Sequence, residues 1–159
     1  NRYTSLSADI NGDGNKEMIW ITGSQNYTAT LHVGSATAEV PGDNSAGYFS
    51  IVDLNTTDTI KEIMVGDYGP SDDYTTTFYY YNGNTIIPMG TTQGLYTQMH
   101  FDGKGTFTTL TRGTILDTWF YQDEYTLGAG HQLAEEPQRE STRKVAVVQH
   151  GPPPHAPLR

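Results

Sequence analysis

Ser7-Ala8-Asp9-Ile10-Asn11 and, 44 residues on, Ile51-Val52-Asp53-Leu54-Asn55 share one pattern: two small or apolar residues, an aspartate, a branched apolar residue and an asparagine. A fainter echo, Met99-His100-Phe101-Asp102-Gly103, follows after another 49. Behind the first two stand an acid and an apolar run, Glu17-Met18-Ile19-Trp20-Ile21 and Glu62-Ile63-Met64-Val65; behind the third stands Gly105-Thr106-Phe107-Thr108-Thr109-Leu110. Each unit has room for about four short strands, the size of one propeller blade. Three such units fill residues 1–127.

Working outward from these echoes, β-branched and aromatic residues alternate in short runs: Met18 to Thr22, Tyr27 to Val33, Ala36 to Val40, Tyr48 to Leu54, Glu62 to Val65, Thr75 to Tyr81, Thr85 to Met89, Gln98 to Phe101, Thr106 to Arg112 and Thr118 to Thr126. No window of 11 or more residues carries a helical stripe. The expectation is an all-β chain of blade-like antiparallel four-stranded repeats, about three of them and hence propeller-like but partial, with a β-sandwich as the alternative. Gly34-Ser35, Pro41-Gly42-Asp43-Asn44, Gly69-Pro70-Ser71-Asp72, Asn82-Gly83 and Asp102-Gly103-Lys104-Gly105 punctuate the runs. Asn82-Gly83 predicts a two-residue type I′ hairpin turn with positive φ at both positions.

Composition divides the chain near Leu127. Residues 1–127 hold all 11 Tyr, both Trp and all 5 Phe, whereas 128–159 hold no aromatic residue but 5 of the 8 Pro. The expectation is a β-repeat domain over 1–127 followed by an extended, Pro-rich C-terminal arm over 128–159. Within the arm, Lys144 to Gln149 is the stretch able to pair as a strand. An open array of sheets exposes unpaired edges, which that stretch or a second copy of the chain can cover. Homo-oligomerisation through open edges or through the arm follows as an expectation, and head-to-tail addition would give a filament.

Eighteen acids against 9 bases give a formal charge of −9, which argues against a nucleic-acid partner. No apolar run reaches the roughly 18 residues of a membrane-spanning helix, so no membrane insertion is expected. With no Cys there is no thiol catalysis, thiolate metal site or disulfide. The sequence begins at Asn1 without a charged-then-apolar leader, as expected of a mature or trimmed product.

Asp9-Ile10-Asn11-Gly12-Asp13-Gly14-Asn15-Lys16-Glu17 places oxygen-bearing side chains at loop positions 1, 3, 5 and 9 with Gly at 4 and 6. Calcium takes six to eight oxygens at about 2.3–2.6 Å, and alternate residues of a tight loop can turn them all inward. Gly14 supplies the sharp turn, the Asn15 carbonyl the position 7 oxygen, and Glu17 closes the shell. Position 12 is Trp20 where a helix-flanked EF-hand needs a bidentate Glu, so this is a different loop, one that runs directly into a strand. Crowded carboxylates make it costly to fold empty, and a cation offsets their repulsion.

Residues Ala8 to Ile19 resemble the signature of FG-GAP and VCBS-type repeats, the calcium-binding blades of integrin-like β-propellers. The resemblance is specific over 8–19 and weaker over 1–127. It implies calcium as the cofactor, with Asp9, Asn11, Asp13 and Glu17 as side-chain ligands and Asn15 as a backbone ligand, in a secreted or cell-surface protein. In the later units Thr57 stands at the third ligand position, and Asp102-Gly103-Lys104-Gly105 keeps one acid, so hydrogen-bonded turns are expected in place of metal there.

Other constellations are weaker. Phe78-Tyr79-Tyr80-Tyr81 and Trp119-Phe120-Tyr121 could stack on sugar rings, although alternation along a strand assigns them first to the core. Asp72-Asp73 and Asp123-Glu124 are the candidate glycosidase carboxylates. The five His form no metal-binding spacing, and Gly-x-Ser-x-Gly and phosphate-loop motifs are absent. Asn26 and Asn55 match the glycosylation acceptor pattern. The expected function is a non-catalytic, calcium-stabilised extracellular module for binding or adhesion, with a carbohydrate or protein ligand at a surface. The alternatives are a self-assembling structural subunit and a fragment of a secreted carbohydrate-active enzyme.

Overall fold

The computed structural model describes residues 2–23, 28–44, 46–69, 74–112, 119–135 and 144–146. They form three antiparallel four-stranded meanders in chain order. The first is β1 (Ser5–Ala8), β2 (Glu17–Thr22), β3 (Thr28–Val33) and β4 (Ala36–Pro41); the second is β5 (Phe49–Val52), β6 (Glu62–Asp67), β7 (Thr75–Tyr81) and β8 (Ile86–Gln93). The third is β9 (His100–Phe101), β10 (Thr106–Arg112), β11 (Trp119–Leu127) and β12 (Leu133–Glu135), and β13 (Lys144–Ala146) also pairs with β11. No helix among the described residues is long and apolar enough to cross a membrane.

The middle sheet is covered on both sides. Successive side chains of a strand point to opposite faces, and in β6 this sends Ile63 and Val65 one way and Met64 the other, all buried. Ile63, Val65, Tyr79 and Ile86 join Ile19, Ile21, Leu31, Val33 and Val40 of the first sheet in one core. Met64, Phe78 and Met89 join Phe107 and Tyr125 of the third sheet in another. Neighbouring sheets thus pack face to face as in a sandwich, and the packing recurs from one unit to the next. A register shift between Phe78 and Tyr79 leaves Met89 as an extra residue between Pro88 and Gly90, and its side chain fills the second core.

The three units also meet at equivalent backbone positions. The carbonyl of buried Ile10 accepts the N–H of Lys61 at 2.9 Å, and the carbonyl of buried Leu54 accepts that of Gly105 at 2.7 Å. In both cases the acceptor follows the repeated aspartate, and the donor directly precedes the second strand of the next unit. Tyr3 and Phe49 exchange two backbone bonds at 2.8 and 3.0 Å, which ties the chain ahead of β1 to the start of β5.

Several features differ from the sequence reading. The β7–β8 connection is a four-residue loop, 82–85, in place of a type I′ turn: Gly83 has φ 95° but Asn82 is not in the positive-φ region. The Asn82 side chain holds this loop instead, its Oδ1 accepting the N–H groups of Asn84 and Thr85 at 2.8 Å each. Residues 128–135 continue the body. Leu133 packs on the second core, β12 pairs with Tyr125 to Leu127, and Gln132 Nε2 donates to the Pro88 carbonyl at 3.2 Å. Of Lys144 to Gln149, residues 144–146 form β13; 147–149 and the Pro-rich end lie outside the described residues, as do Asp72, Asp73 and Asn26.

Candidate metal centre

Three loops join the first strand of each unit to the second, and they line up with the repeated aspartates. In the first, Asp9 organises its own backbone: Oδ1 accepts the N–H of Gly12 at 2.9 Å and of Asp13 at 3.2 Å, and Oδ2 accepts that of Gly14 at 2.8 Å. Asp13 Oδ1 accepts the N–H of Asn15 at 2.8 Å, and Glu17 Oε1 reaches back to the N–H of Ile10 at 3.2 Å. Gly12 and Gly14 stand at φ 77° and 89°, conformations that L side chains adopt only with strain.

These constraints bring one carboxylate oxygen each from Asp9, Asp13 and Glu17 within 4.8 Å of one another. Two oxygens in one calcium shell are separated by at most about 5 Å, twice the bond length, so the three fit a shared ion. Oxygens that already accept an N–H keep a second lone pair for it. Asn11 stands beside Asp13, donating from Nδ2 to Asp13 Oδ2 at 3.3 Å, and Asn15 touches the same carboxylate through its N–H. All five residues expected from the sequence therefore belong to one loop, with Asp9, Asp13 and Glu17 converging and the two asparagines bonded to Asp13.

The electrostatics match a site that wants a cation. Burial pushes the Glu17 carboxyl above its ordinary range, and the charges of Asp13 and Asp9 push the same way. The Asn15 N–H holds the fully exposed Asp13 below its ordinary range, which keeps its carboxylate ionised.

The loop also braces the next unit. A Cβ placed on Gly12 would lie 2.4 Å from Thr59 Cβ and 2.7 Å from the Thr59 carbonyl oxygen. Gly12→Ala is expected to destabilise the protein by at least about 1 kcal/mol, from the left-handed backbone alone, with the clash adding to it. Gly14→Ala, where nothing lies within 4 Å of the new Cβ, carries only the backbone term. Urea unfolding of the two variants separates these contributions; equal losses would mean that the loops do not bear on each other.

The second loop is held by hydrogen-bonded turns, as expected: Asn55 Oδ1 accepts the Thr57 N–H at 3.1 Å and the Thr57 hydroxyl at 2.7 Å, and Asp58 Oδ1 accepts the Ile60 N–H at 3.0 Å. Counted forward from Asp53, Thr57 falls at the third ligand position; counted back from Glu62, Asp58 keeps the four-residue spacing of Asp13 to Glu17. One ligand atom each from Asp58, Glu62 and His131 lie within 4.8 Å of one another. Glu62 is fully buried, its Oε1 accepting the Leu54 N–H at 2.8 Å and its Oε2 lying 2.7 Å from His131 Nε2. Burial raises the Glu62 carboxyl above its ordinary range, and the bonds from Leu54 and His131 oppose that rise. Local spacing had no means of finding His131, which lies 69 residues from Glu62.

The third loop is a hydrogen-bonded turn, as expected. Asp102 Oδ1 accepts the N–H groups of Lys104 at 2.7 Å and Thr106 at 3.0 Å, and these bonds hold its carboxyl below the ordinary range.

The weaker candidates resolve by strand alternation. Phe78 and Tyr80 belong to the second core, Tyr79 and Tyr81 to the first, so this stretch presents no aromatic platform. Asp123 is buried opposite Thr109 on the side facing the middle sheet, which puts Glu124 on the other side of β11. The two acids do not face each other across a cleft. The side chains of residues 119–121 lie outside the described set. Comparison of the chain with protein-family models, curated proteins and solved structures returns no match.

Proposed function

We propose that this chain is a non-catalytic binding or adhesion module of the FG-GAP/VCBS kind, stabilised by calcium in the loop 9–17 and working in a secreted or cell-surface protein. The observation that carries the reading is the convergence of Asp9, Asp13 and Glu17 in a loop that passes directly into β2 and bonds to the second unit through Ile10. An ion there fixes a turn, the strand after it and the junction with the next sheet, which is a structural role.

Beside that loop, Lys16, Glu17, Met18 and Trp20 line an open groove of about 720 Å³ with Thr4, Ser5 and Gly34. The Trp20 ring stacks on His32, centroids 4.5 Å apart and planes within 3°. Aromatic and apolar surface flanked by charged groups suits a carbohydrate or protein ligand. The test is retention of the chain on immobilised glycans and cell-surface proteins, in calcium and in chelator. Retention that needs calcium and falls in Trp20→Ala supports the reading. Turnover of a glycan, or retention indifferent to both changes, overturns it.

A second reading, a subunit that stacks on another copy of itself, is favoured by one comparison between units. Met18 follows Glu17 as Ile63 follows Glu62, yet Ile63 is buried beneath the first sheet while Met18 is 51% exposed. Sedimentation velocity across a wide concentration range decides it: a monomer throughout excludes the subunit.

A further inference from the structure

We propose that Asp58, Glu62 and His131 form a second cation site, at the junction of the middle and third sheets, that takes a d-block divalent ion of the Zn²⁺ class rather than calcium. The inference is independent of the calcium reading of the first loop.

The donor set carries the choice of ion. Calcium is a hard cation served by oxygen alone, whereas an imidazole nitrogen with two carboxylates suits zinc and its neighbours. Asp58 and Glu62 come from the middle unit and His131 from the turn that leads into β12, so the ion would join two sheets. The ligands are held in place by the fold. Leu54 N–H fixes Glu62 Oε1 and leaves Oε2 as the inward oxygen. The Tyr80 ring meets the imidazole edge-on at 4.6 Å. Among the described residues His131 is the only non-glycine with positive φ, 58°, and that conformation directs its ring onto a fully buried carboxylate.

Charge supplies an independent argument. Two carboxylates, Asp58 and Glu62, meet at one place beside a single imidazole. Asp53, on the same loop, has an Oδ1 shut off from solvent that accepts no hydrogen bond. Lys61, the single base of this loop, is exposed, and its charge acts on Asp53 against burial and the charge of Asp58. A divalent ion bound by neutral His131 and two carboxylates is electrically balanced and lends its field to Asp53. The bond between Glu62 and His131 is then replaced by two metal–ligand bonds, for which Nε2 must give up its proton.

The experiment uses the full chain in excess calcium, so that an oxygen-only site is filled before Zn²⁺ is titrated by calorimetry, with Co²⁺ as the spectroscopic probe. The expected result is one equivalent of Zn²⁺, bound at least tenfold more weakly by His131→Gln and by Asp58→Asn and unchanged in Asp13→Asn. Because His131→Gln also removes a bond to Glu62, a second readout uses the wild type: the ring nitrogen signals of His131 in a long-range ¹H–¹⁵N spectrum move on adding Zn²⁺. No uptake under calcium, uptake that persists in both variants, or uptake with the His131 signals unmoved overturns the proposal.

Discussion

Phe107→Ala is expected to lower the free energy of unfolding by about 3–5 kcal/mol, the range for deleting a buried aromatic ring. Phe107 is 1% exposed. Its ring lies 5.1 Å from Phe78 of the middle sheet, 5.2 Å from Phe101 and 5.4 Å from Tyr125, centroid to centroid. It is thus the point at which the third sheet grips the second, and its loss opens a cavity among three other rings that cannot all collapse into it. The control is on the same strand. Thr108, one residue on, points to the opposite face of β10, and Thr108→Ala is expected to stay within about 0.5 kcal/mol of wild type. Urea unfolding followed by tyrosine fluorescence measures both. A Phe107→Ala loss below about 1 kcal/mol would mean that the third sheet is not held by this core.

The second large effect is thermal. Calcium at a hundred times its dissociation constant is expected to stabilise the protein by about 2.7 kcal/mol, the linkage value for a ligand that binds only the folded state. Excess chelator removes that increment. Asp13→Asn removes one ligand charge while keeping an oxygen at the same place. It relieves the crowding felt by Glu17, so it is expected to melt near the wild type in chelator and to gain little when calcium is added. Magnesium, which demands a tighter octahedral shell and gives up water reluctantly, is expected to replace calcium poorly. Scanning calorimetry in calcium, magnesium and chelator gives all of these comparisons; a melting temperature unchanged by chelator would refute a structural ion.

How much of this was legible in the sequence depends on the range of the interactions. β7 and β10 fall on the bounds that alternation gives, β2 and β3 differ by one residue at one end and β11 by one residue at each end, because each is a sheet interior strand with two-faced or half-buried patterning. β1 and β12 leave no signal in the sequence: Ser5–Ala8 and Leu133–Glu135 are too short for alternation to show, and they exist because a neighbour offers a ladder. The arm was set apart by its lack of aromatic residues, yet Leu133 and His131 bind it to the body through an apolar contact and a polar one. Asn82-Gly83 shows the limit of turn rules, since a side-chain acceptor at Asn82 stabilises a longer loop.

The two clusters divide along the same line. Asp9, Asn11, Asp13, Asn15 and Glu17 lie within nine consecutive residues, so the convergence of the three carboxylates is a property of the loop itself and can be read from spacing. The Asp58–Glu62–His131 cluster needs the middle and third sheets to be packed first. The echo between the units locates the second loop; counting forward from Asp53 selects Thr57, whereas counting back from the buried Glu62 selects Asp58.

The most direct measurement is a calorimetric titration of calcium into the chelator-treated full chain, beside Glu17→Gln and an Asp9→Asn/Asp13→Asn double variant. The expected result is one calcium bound by the wild type, weakened in Glu17→Gln and abolished in the double variant, with all three folded by circular dichroism. Absence of calcium uptake by the wild type, or uptake that the double variant retains, would contradict the assignment of the first loop.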